Sequence, residues 1–109
     1  MFRRVELAAA DDVDALAALE PGGAMTHDRW DTALGDYWDE HDEIGCDADA
    51  RGPQFLVIDE EPRRWRVRQI IADPDGNRDW SIVAAVDLAE CDQAGELVLH
   101  TVDFARLDG

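Results

Sequence analysis

Tyr37 is the only tyrosine in the chain. An enzyme built in an apolar pocket would set a carboxylate of displaced pKa beside such a hydroxyl. Trp38 and His41 stand within one helical turn of it. Trp65, Trp80 and His100 could complete a ligand pocket from elsewhere, with Asp87, Asp103 or Arg68 reaching in from a sheet. The spacing selects no acid, base or nucleophile among them, so no catalytic residue is assigned. A small-molecule-binding or enzymatic pocket lined by Tyr37, Trp38, Trp65 and Trp80, with His41 and His100 as further candidates, stands as the alternative to a non-catalytic interaction role.

Other chemistries fail on spacing. A nucleotide motor needs a glycine-rich phosphate loop ending in GK[ST] and an acidic box after a strand, and neither is present. Asp39-Glu40-His41-Asp42 imitates a DEAD/DEAH box but falls inside a helical pattern. Asp47-Ala48-Asp49 opens like a calcium loop, yet Arg51 and Ile58 occupy the fifth and twelfth positions, where oxygen ligands are required. Asp73, Asp75 and Asn77 make a similar start, with Arg78 in place of the necessary glycine. His27, His41 and His100 do not have the spacing of an HExxH motif. No metal and no cofactor is expected.

These side chains must be placed by a short chain. Its 109 residues make one domain, large enough to bury roughly 60–70% of its unfolded surface. The net charge of −16 repels phosphate backbones, which disfavours direct nucleic-acid binding. The charge serves solubility, or docking on a basic protein partner. Arg63, Arg64, Arg66 and Arg68 form the one concentrated positive run, expected to guard an edge strand. Cys46 and Cys91 lack CxxC spacing and read as free thiols of a reducing cytoplasm. Met1-Phe2-Arg3-Arg4 leads into acidic residues rather than a signal peptide, and no apolar run is long enough for a membrane. A cytoplasmic location is expected.

The helices come first, over residues 2–44. Val5, Ala9, Val13 and Leu16 recur on one face and predict helix over 2–20, with a break near Ala10 where Asp11 or Asp12 could cap a second helix. Pro21-Gly22-Gly23 stops it. Thr26 caps a second amphipathic helix carrying Trp30, Ala33, Leu34, Tyr37, Trp38, His41 and Ile44, with Gly45 as its end. The sheet follows over residues 54–104. Phe55 to Ile58 predicts a short buried strand. Trp65, Val67, Gln69 and Ile71 alternate along a second strand, and Trp80, Ile82, Ala84, Val86 and Leu88 along a third. Asp73 to Arg78 supplies a hairpin connection in which Gly76 or Asn77 accepts positive φ. Residues 89–95 predict a polar, flexible connection, and Glu96 to Val102 a last strand, with Phe104 and Leu107 anchoring the tail. The layout is α+β: two N-terminal helices packed on a four-stranded antiparallel meander. By analogy it suggests a nuclear-transport-factor-2-like or cystatin-like cone, which does not fix function.

Four runs carry a resemblance: Trp65-Arg66-Val67-Arg68-Gln69-Ile70, Asp73-Pro74-Asp75-Gly76-Asn77-Arg78-Asp79-Trp80, Val86-Asp87-Leu88, and Asp92 to Leu99. Phe2 to Leu7 and Tyr37 to Gly45 extend it upstream. Together they resemble the C-terminal domain of unknown function of actinobacterial superfamily II (DEAD/DEAH-box) helicases. The resemblance implies an accessory module, or a free-standing relative of one, that contacts the helicase core, another protein or a second copy of itself. It transfers no catalytic residue.

Overall fold

The polypeptide is described by a computed structural model covering residues 1–48 and 50–106. The apolar stripe at the N-terminus folds as two helices, α1 (Phe2–Ala9) and α2 (Val13–Leu19). The break falls where it was expected. Asp11 adopts a left-handed φ of 55°, a conformation Asp tolerates. The Asp12 carboxylate then accepts the Ala15 N–H at 3.1 Å and caps α2. Val5, Leu7, Ala8 and Leu16 are buried.

Helix α3 (His27–Glu40) starts as its cap dictates, with Thr26 Oγ1 accepting the Arg29 N–H. Trp30, Leu34 and Tyr37 form its buried stripe. The helix ends four residues before Ile44. His41 turns to extended backbone at φ −138° and ψ 153°, and the Tyr37 hydroxyl donates to the Glu43 carbonyl beyond it. These tertiary bonds override the periodicity, yet His41 and Ile44 stay buried. Gly45 serves close approach rather than stopping the helix. Its N–H donates to the Ala72 carbonyl at 2.8 Å, and a Cβ there would come within 2.9 Å of the Ala72 Cβ.

After a 3₁₀ turn (Pro53–Phe55) come strands β1 (Leu56–Glu60), β2 (Arg64–Ile70), β3 (Trp80–Asp87) and β4 (His100–Arg106), with helix α4 (Leu88–Ala94) between the last two. They form an antiparallel meander in the order β1-β2-β3-β4, with a bulge at Val83/Ala84. Fold class is thus α+β, as expected. Among the described residues three helices rather than two precede the sheet, and a fourth lies between its last two strands.

Three expectations about the strands are corrected. Phe55 lies in the 3₁₀ turn, and β1 is an exposed edge rather than a buried strand, with Leu56 38% and Ile58 43% exposed. The arginine-rich β2 is interior, flanked by β1 and β3, so its arginines do not guard an edge. The segment expected to be a flexible connection is α4. Asp87 accepts the Ala89 and Glu90 N–H groups, and Gly95 closes the helix at φ 74°. That cap removes Leu88 from the alternation and moves the last strand from 96–102 to His100–Arg106. Leu107 and Asp49, named in the sequence reading, lie outside the described residues.

The core joins α1, α2 and α3 to the face of the sheet carrying Trp80, Ile82 and Phe104. Trp30 meets Phe104 edge to face at 5.9 Å between centroids, and Trp80 lies 5.4 Å from Phe104. At the opposite end of the chain order, Arg4 Nε donates to Thr101 Oγ1 at 2.7 Å and pairs with Glu20, whose other oxygen accepts the Thr101 N–H. One half-buried network thus ties α1 and the end of α2 to β4.

Candidate functional site

The sequence places aromatic groups and a histidine at the C-terminal end of α3, and the fold brings β3 against them. Tyr37 is fully buried and packs against Trp38 (5.2 Å, 80°), His41 (5.1 Å, 46°) and Trp80 (5.5 Å, 82°). Burial first, then the charges of Asp73, Asp79, Asp42 and Asp75, push the Tyr37 hydroxyl far above its ordinary pKa. It therefore stays protonated, and it donates to the Glu43 carbonyl. Trp38 is half-buried and donates from Nε1 to Asp11 at 3.1 Å. These rings fill their own space, as core aromatics do.

Trp65 and His100 lie elsewhere. Trp65 pairs with Val86 on β3 and Glu60 on β1, while Ile71, just past the other end of β2, bonds the Trp80 carbonyl. Six residues of strand separate the two tryptophans' positions by about 20 Å. His100 sits opposite Ala85 on β4 and holds Glu90 of α4 at 2.7 Å. Of the six pocket candidates, the fold assembles Tyr37, Trp38, His41 and Trp80 and leaves Trp65 and His100 apart.

What the assembled group adds is a ring of carboxylates around His41. The hairpin loop from Asp73 to Arg78 is gathered by Asp73, whose carboxylate accepts the N–H groups of Asp75, Asn77 and Arg78 at 3.0, 2.9 and 2.7 Å. Burial works to raise the Asp73 pKa. The Asn77 and Arg78 N–H bonds, the electrostatic influence of the neighbouring His41 and the Asp75 N–H bond outweigh it and hold the group below its ordinary value. Gly76 has φ 71°, as the turn required, and Arg78, rather than Asn77, is the second left-handed residue at φ 55°. The loop presents Asp75 to His41, with Oδ2 2.9 Å from Nδ1. Asp79, immediately before β3, approaches the other ring nitrogen at 3.7 Å. Glu40, His41 and Asp79 offer ligand atoms within 4.8 Å of one another, and so do His41, Asp73 and Asp75. Arg106 of β4 pairs with Glu40 at 3.5 Å and with Asp79 Oδ2 at 3.4 Å. Spacing rules could not find this group, because residues 40–41 and 79 meet only through the meander. The run Asp73-Asp75 was the one visible signal.

Two surface features lie outside this group. A groove of about 720 Å³ runs between α3 and β4, with Ala33, Trp80 and Phe104 in its floor and Asp36, Asp39 and Asp103 on its rim. Edge strand β1 is the other. Leu56 and Ile58 lie opposite the buried Gln69 and Val67, hence on the core side of the sheet, where the helical layer leaves them exposed.

A family model described as a domain of unknown function (DUF3516) matches residues 1–104, and the chain belongs to that family. Neither the curated proteins nor the solved structures yield a match. No helix among the described residues is long and apolar enough to cross a membrane.

Proposed function

We propose that this member of the DUF3516 family is a non-catalytic accessory domain of the cytoplasm that docks on a superfamily II helicase core through strand β1. The observation that carries the reading is the open edge itself. As the outermost strand, five-residue β1 has a strand neighbour on one side only, and it adds two exposed apolar side chains, Leu56 and Ile58, on one face. Pairing with a strand of another protein satisfies both features. The resemblance of the sequence to helicase C-terminal domains supports the choice of partner. So does charge: a nucleic-acid motor carries basic surface, which a chain of net charge −16 complements. The buried, protonated Tyr37 and the ring-filled space around it favour this reading over a small-molecule or enzymatic pocket.

The test is a binding titration of a superfamily II helicase core with the protein and with a Leu56→Lys/Ile58→Lys variant. Both positions are exposed, so the variant keeps its fold. Binding by the parent that the variant loses supports the proposal. Equal binding by both, or no binding by either, contradicts it.

A further inference from the structure

We propose that Glu40, His41 and Asp79 form a binding site for a divalent transition cation, with zinc the best match. The His41 side chain is only 2% exposed, and its Nε2 has no hydrogen-bond partner. It is aimed at Asp79 Oδ1, which is buried and unpartnered in the same way. Their separation of 3.7 Å exceeds a hydrogen bond. In the tautomer whose Nδ1–H donates to Asp75, the lone pair of Nε2 confronts the lone pairs of a carboxylate. Two buried acceptors facing each other are costly unless something positive stands between them.

The distances suit a cation in that position. Donors bound to zinc at about 2.0–2.1 Å stand roughly 3.3 Å apart in a tetrahedron, close to the separation observed. Glu40, exposed and paired with Arg106 at 3.5 Å, already has its carboxylate within 4.8 Å of the other two donors and supplies the third ligand. One imidazole and two carboxylates suit zinc better than calcium or magnesium, which prefer all-oxygen sets. Around these ligands the supporting contacts are already made. Asp75 fixes the imidazole with Nε2 free, the carboxylate–histidine–metal arrangement. Arg106 takes Oδ2 of Asp79 and leaves Oδ1 for the metal. A bound ion would clamp the end of α3 to the start of β3, next to the hairpin. This site is independent of the docking role assigned to β1.

Zinc titration by calorimetry, with parallel magnesium and calcium titrations, tests the site on the intact protein. The expected result is one zinc per chain, bound more tightly than magnesium or calcium, with a raised melting temperature. Asp79→Asn and Glu40→Gln should each weaken zinc by about tenfold or more, and Asp75→Asn by about 10–100-fold through the ring's orientation. His41→Gln should abolish binding. Should that variant fail to fold, the exposed Glu40→Gln and the Asp79→Asn proteins decide the matter. Absence of zinc binding, tighter binding of calcium, or zinc affinity unchanged in both Glu40→Gln and Asp79→Asn would overturn the proposal.

Discussion

The Tyr37 and Trp80 rings meet edge to face, with centroids 5.5 Å apart and planes at 82°. This contact joins the last turn of α3 to the first residue of β3 and sits at the centre of the aromatic core. Trp80 is 4% exposed, so Trp80→Ala removes a ring that the surroundings cannot replace. The expected loss is about 3–5 kcal/mol, measured by denaturant unfolding. A change within about 0.5 kcal/mol would place Trp80 outside the core.

Tyr37 also makes the alkaline limb of stability predictable. Its folded pKa is raised above the ordinary 10.0, chiefly by burial. In the unfolded chain the hydroxyl loses its proton near the ordinary value, while the folded chain retains it. The unfolded state then binds fewer protons, and stability falls as pH rises. Tyr37 thus contributes fully below pH 10 and loses its contribution above. With a single tyrosine in the chain, phenolate absorbance should appear in step with loss of near-ultraviolet circular dichroism. Phenolate formed near pH 10 with the dichroism intact would refute the buried hydroxyl.

The α3 stripe was legible because Trp30, Leu34 and Tyr37 follow the helical period, and packing on a sheet uses that period directly. The meander was legible from two long alternating runs and a turn rich in Asp, Pro and Gly. Strand order was harder to read. Phe55 to Ile58 reads as a buried run, but alternation cannot tell which strand of a sheet is outermost, and β1 is an edge. Helix α4 was hidden because Asp87, its cap, fits the strand pattern equally well until its carboxylate bonds Ala89 and Glu90. The ring of carboxylates at His41 is a tertiary product and has no local signature. It also cut α3 short, since His41 leaves the helix where its ring engages Asp75.

Gly76 lies at φ 71° in the β2–β3 connection with open space where a Cβ would go. Only backbone strain therefore opposes a side chain there. Gly76→Val should cost about 1–2 kcal/mol, the price of the left-handed region for a side-chain-bearing residue, and should be read from the denaturation midpoint. An unchanged midpoint would show that the turn does not need the positive φ.

The most direct test of the docking account is amide hydrogen exchange on the protein with and without a superfamily II helicase core. The account predicts added protection at Leu56–Glu60, the open edge, on formation of the complex. Protection confined to the groove between α3 and β4, with the β1 amides exchanging as before, would contradict it.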